Sequence, residues 1–116
     1  MRTLIIVLLL FSSSLIAREI VCIPNTLENS FDEIVISKQG RGNKYQLKVI
    51  KGEQSILQSQ VYYRFNRRKQ LTTIKSKDGK IEIRSGKLVN NKVSSASLKV
   101  SSLFDGTLRG YCKQYK

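Results

Sequence analysis

IKSKDGKIEI, Ile74 to Ile83, is the stretch whose reading decides the fold. Apolar and polar residues alternate on both sides of Asp78-Gly79, a dipeptide suited to a two-residue type I′ turn, whose central positions both need positive φ. Such a turn sets Ser76 opposite Ile81, Lys75 opposite Glu82 and Ile74 opposite Ile83. Ile74, Ile81 and Ile83 then share one face. Lys75 meets Glu82 on the other, an opposite-charge pair worth roughly a few tenths of a kcal/mol. The stretch is a β-hairpin with one buried and one wet face.

The same period-two alternation, rich in Val, Ile, Thr and Tyr, runs through most of the chain. It predicts strands over 19–23, 31–38, 44–50, 54–65, 70–77, 80–85, 93–101 and 106–113. Turn formers such as QGRGN, NRRK and LFDG separate them. The expected fold is all-β and single-domain: a small antiparallel barrel of about eight short strands, largely a meander, or a β-sandwich. A second hairpin centres on Lys51-Gly52-Glu53. Read as a three-residue loop, it puts Val49 opposite Ser55, Leu47 opposite Leu57 and Tyr45 opposite Ser59, whereas a two-residue loop scrambles the faces.

Continuing that phase through VYYRFNRRKQL, Val61 to Leu71, sends Tyr63 and Phe65 inward and Tyr62 and Arg64 outward. Arg67, Arg68 and Lys69 then fall in a turn. Aromatic and cationic residues interleaved in this way suit a groove that stacks bases and neutralises phosphates, but two of the three rings face the core. The reading therefore favours a core strand running into a wet turn over a nucleic-acid platform. Tyr62, Arg64, Arg67, Arg68 and Lys69 remain the candidate contact site for an anion.

The first residues, MRTLIIVLLLFSSSLIAR, have the plan of a secretory signal peptide: a positive start at Arg2, an apolar run from Leu4 to Phe11, the small polar residues Ser12 to Ser14, and Ala17 at the expected cleavage point, with Leu15 bulky for its place two residues before it. The run is shorter than the ~20 residues a bilayer span needs, and no later segment is longer. The expected division is a signal peptide over 1–17 and one β domain over 18–116, exported to the periplasm or beyond the cell, with no transmembrane segment after cleavage. Glu19, Ile20 and Val21 before Cys22 do not fit a lipid-attachment signal.

Cys22 and Cys112 are the only cysteines. In an oxidising compartment a lone pair reads as a disulfide, here joining the first strand to the last. By the chain-entropy argument a loop this long is worth up to about 4.5 kcal/mol.

The chain carries 21 Lys and Arg against 8 Asp and Glu, a net charge of +13, and no histidine. Without imidazole, a Ser or Cys nucleophile lacks its usual base and the common zinc centres cannot form. Asp32 and Glu33, adjacent on an expected strand, point to opposite faces, and Glu28, Glu53, Asp78 and Asp105 fall in turns. No carboxylate dyad results, and QGRGN lacks the Lys-Ser/Thr ending of a phosphate loop. No catalytic, metal-binding or cofactor-binding residue is assigned. A dispersed positive excess instead draws the molecule to anionic surfaces, polymers or acidic proteins.

In layout the chain resembles the membrane-bound or periplasmic inhibitors of C-type lysozyme, small β-barrels with a comparable bridge. The Ser-Gly of their inhibitory segment is matched by Ser85-Gly86, but Lys87-Leu88-Val89 follows where that family has a nearby Tyr. The resemblance implies a small secreted hydrolase inhibitor as the alternative to a non-enzymatic binding protein. A calycin-like ligand barrel is compatible too, with Tyr45, Tyr63 and Phe65 leaving little cavity.

Overall fold

The computed structural model describes residues 19–25, 31–40 and 42–115. The expected signal peptide over 1–17 lies outside them, as do Glu28 and Arg41. Eight strands run in chain order: β1 (Glu19–Pro24), β2 (Glu33–Lys38), β3 (Lys44–Lys51), β4 (Gln54–Asn66), β5 (Leu71–Ser76), β6 (Ile81–Ser85), β7 (Val93–Val100) and β8 (Leu108–Tyr115). Each pairs antiparallel with the next, and β8 returns to β1, closing the sheet into a barrel. Closure decides between the two expected architectures, and it leaves no sheet edge exposed.

Alternation explains the core. Ile20, Ile34, Ile36, Leu47, Val49 and Val61 occupy inward positions on β1 to β4, and Ile74, Ile83 and Leu98 complete the ring. A meander places alternate connections at opposite ends of the barrel, and aromatic pairs lie near both. Phe31, before β2, stacks on Phe104 of the β7–β8 connection with centroids 5.9 Å apart. Toward the other end Tyr45 meets Tyr63 at 5.5 Å, and Leu88 packs in from the β6–β7 connection. Of the three aromatics expected to fill the interior, Tyr45 and Tyr63 belong to the core and Phe65 does not.

Cys22 and Cys112 are direct partners across β1 and β8, and their sulfurs are bonded. The bridge therefore lies on the seam that closes the barrel.

Two turns differ from the sequence reading. In the β5–β6 hairpin the expected register holds, Ile74 with Ile83 and Lys75 with Glu82. Yet only Gly79 has positive φ, 76°, so the turn is not type I′. The reason is Ser76, whose buried hydroxyl donates to Asp78 Oδ1 at 2.7 Å and accepts from the Ile81 amide at 3.1 Å. Asp78 Oδ1 also accepts from the Lys80 amide at 3.0 Å. These bonds hold a four-residue link, Lys77 to Lys80, with Gly79 N–H donating to the Ser76 carbonyl.

The β3–β4 hairpin corrects the three-residue loop. Gly52 and Glu53, with φ of 61° and 58°, form a two-residue turn, and Lys51 faces Gln54. Asp32, expected on a strand, instead precedes β2 and accepts the Gly52 amide at 2.6 Å, which pins the tight turn. The register then slips by one residue between Val49 and Ile50, leaving Ile56 as the extra residue of a bulge. Val49 consequently faces Leu57, Leu47 faces Ser59 and Tyr45 faces Val61. Because the bulge adds one residue to an even-phase turn, the inward phase expected for β4 survives at Leu57, Val61 and Tyr63 although its partners change, while Phe65, near the strand's end, is half-buried and lies outside the core cluster.

Asp78 carries a pH prediction. Its bonds from the Lys80 amide, first, and the Ser76 hydroxyl, second, hold its carboxyl below the ordinary value of 3.8. The folded state thus gives up this proton more readily than the unfolded chain. The stabilisation is fully present above the unfolded value and is lost as pH falls through the lower, folded one. Asp78→Ala should lower the urea midpoint at neutral pH, and the gap to the parent should shrink toward pH 2. A gap that stays constant across that range would contradict the turn geometry.

Candidate functional site

Outward positions of β4, β5 and β6 form the walls of an open groove of about 550 Å³. Register builds it row by row. Tyr62 lies beside Lys75, which lies beside Glu82. One row along, Arg64 lies beside Thr73, which lies beside Arg84. The β4–β5 turn closes the groove with Lys69, and Lys77 enters from the β5–β6 link.

The turn is held in place locally. Asn66 Oδ1 accepts the Lys69 amide at 3.2 Å, and the Gln70 side chain donates to the Arg67 carbonyl at 2.8 Å while Gln70 takes φ of 51°. Lys69 is thereby presented to the groove. Arg67 and Arg68 lie in the same exposed turn but do not line it.

Of the five residues singled out from sequence, the structure brings Tyr62, Arg64 and Lys69 together and leaves Arg67 and Arg68 outside the lining. It adds Lys75, Lys77 and Arg84, which sequence reasoning did not join to them. For Lys75 the signal was present, since the hairpin register already placed it outward. Tyr62 is half-buried, while Arg64, Lys69, Lys75 and Lys77 are exposed. Glu82 is the one carboxylate in the lining, and it pairs with Arg84 at 3.1 Å, with side-chain exposures of 20% and 58%. Lys75 has Glu82 across the ladder, yet among the described residues Arg64, Lys69, Lys75 and Lys77 form no ion pair, and the cations of the lining outnumber its one carboxylate, so the groove is positive.

A second open groove adjoins the first across Arg84. Ser85, Gly86, Ser97 and Thr107 line it, and Arg109 stands on its far side. The Ser85-Gly86 pair quoted above therefore borders a groove with cations on both flanks. Ser85 Oγ donates to the Gly86 carbonyl at 2.9 Å, so the hydroxyl is already engaged.

Two carboxylates near turns are engaged structurally: Asp32 by the Gly52 amide and Asp78 by Ser76 and Lys80. Among the described residues, no group of three or more His, Cys, Asp or Glu could hold a metal ion. The fold and site define a small β-barrel, stapled at its closing seam, with a cationic groove on its outer wall. No family model, curated protein or solved structure matches the chain.

Proposed function

We propose that this chain is an exported, non-enzymatic binding protein that contacts an anionic envelope component or acidic partner through the outer face of β4 to β6. The groove carries this reading: Arg64, Lys69, Lys75 and Lys77 converge on one concavity whose only lining carboxylate is paired with Arg84. The bonded Cys22–Cys112 pair fits an oxidising compartment, in keeping with export. Exposed charges act over about 8–10 Å at ordinary ionic strength. Binding should therefore be strong at low salt and weaken steeply as salt rises.

The test is retention on anionic and neutral vesicles over a salt series. The parent should bind only the anionic vesicles, and Lys69→Gln/Lys75→Gln/Lys77→Gln should weaken binding by about tenfold or more at low salt. Arg67→Gln/Arg68→Gln should cost less, because those side chains contribute only to the general field. Equal retention on neutral vesicles, or indifference to salt, would sink the proposal.

A hydrolase inhibitor is the second reading, supported by the bridged barrel and by Ser85-Gly86 at a groove between Arg84 and Arg109. Stoichiometric, salt-tolerant inhibition of a C-type lysozyme by the purified protein is its signature. Full enzyme activity in the presence of excess protein would remove it.

A further inference from the structure

The register places three arginines in one row across five strands. Arg64 on β4 opposes Thr73 on β5, Thr73 opposes Arg84 on β6, Arg84 opposes Ser97 on β7, and Ser97 opposes Arg109 on β8. Arginine and hydroxyl alternate strand by strand. Neighbouring strands lie 4.7–4.9 Å apart, so successive arginines are rooted about 10 Å from one another, but four strand steps are half of an eight-stranded barrel, so the row winds about halfway round the wall and the arginine tips fan apart. The two grooves share Arg84 and form one track along this row, from Arg64 through Arg84 to Arg109. Tyr62 on β4 and Tyr111 on β8 lie two residues along their strands from the end arginines, on the outer face but on opposite sides of the row.

We propose that this row recognises a linear acidic glycan winding across the strands, with an acidic group at Arg64, at Arg109 and at the end of the Arg84 guanidinium that its Nε pair with Glu82 leaves free, and sugar hydroxyls at Thr73 and Ser97. The inference rests on the reading of this face as a binding surface and names the ligand class. An arginine fork matches a carboxylate or sulfate with two parallel hydrogen bonds, so arginines recurring along the wall suit a chain whose acids recur along its length. Acids recurring along a sugar chain that follows the wall can meet the arginines in turn, and Thr73 and Ser97 supply donors for the sugar hydroxyls between. Tyr62 and Tyr111 offer flat apolar faces on which sugar rings can stack. A lipid surface fits less well, because strand tilt makes the row wind around a small barrel instead of lying in one plane. A flexible acidic peptide would lose more conformational freedom on the row than a stiffer sugar chain does.

The test titrates the folded full domain with heparin oligosaccharides for sulfate, oligogalacturonate for carboxylate, neutral dextran, and polyglutamate of matched charge. Arg64→Gln/Arg84→Gln/Arg109→Gln is compared with Lys48→Gln/Lys51→Gln/Lys92→Gln, which removes the same charge from positions that line neither groove. The row variant should lose on the order of a hundredfold in affinity for whichever acidic oligosaccharide binds, and the control much less. Arg109→Lys, which keeps the charge and loses the fork, should lose several-fold and guards against a triple variant that fails to fold. Equal losses in both triples, or polyglutamate binding as tightly as the glycans, would overturn the glycan assignment while leaving an acidic-partner protein. Failure of every polyanion to bind even at low salt would overturn the proposed function along with it.

Discussion

Breaking the Cys22–Cys112 bridge is expected to cost the barrel about 2–5 kcal/mol. The bonded residues are 90 apart in sequence, so oxidation removes a large share of the unfolded chain's freedom. They are also direct partners on the two strands whose pairing closes the barrel. With the bridge gone, β1 is held only by its ladders to β2 and β8, and closure must be recovered against the entropy of bringing two distant segments together. Both side chains are essentially unexposed, so Cys22→Ala/Cys112→Ala adds a small packing loss to the lost link. In urea, where a domain of this size loses about 1–3 kcal/mol per molar, the midpoint should fall by about 2 M. Equilibrium unfolding of the oxidised protein, the reduced protein and the double alanine variant checks it. A midpoint unchanged by reductant, with both thiols shown to be free, would refute the role given to the seam.

Gly110→Ala should destabilise the protein by about 2–4 kcal/mol. Gly110 is buried on β8 opposite Pro24. A methyl group there would collide with the Ile23 carbonyl oxygen and press on Leu98 Cδ1 at 3.1 Å. The Ile23 contact is backbone, and backbone next to a bridged pair cannot easily retreat. The two predictions are therefore coupled. In the reduced protein β1 can shift away from β8, and the alanine should cost less than in the oxidised one, a non-additivity that a four-state unfolding cycle reads directly. An alanine variant as stable as the parent would mean that β1 and β8 do not approach so closely.

Much of this architecture was legible because strand phase is a local property. The inward residues of β5, β6 and β8 follow from alternation alone, and Pro24 ends β1 as a residue without an amide donor does at a strand's end. Partner register was harder. At β3–β4 the turn is set by Asp32, twenty residues away in sequence, and no local pattern reports that bond. The bulge at Ile56 then restored the expected faces, which is why Tyr62 and Arg64 were rightly placed outward despite a wrong loop. The cationic surface was only half visible for the same reason. Tyr62, Arg64 and Lys69 are neighbours in sequence, but Arg84 and Arg109 join them through the β6–β7 and β7–β8 ladders, whose connections are long and carry no register signal. Leu88 shows the converse: an apolar residue in a turn-like segment that packs into the core.

The central claim is that the outer face of β4 to β6 is the binding surface, and amide chemical-shift mapping of the folded protein tests it most directly. Titrated with a heparin oligosaccharide at low salt, the amides around Tyr62, Arg64, Lys75 and Arg84 should shift together and return toward their free positions as salt is raised. Shifts spread evenly over the barrel, or centred on β1 and β2, would contradict the account.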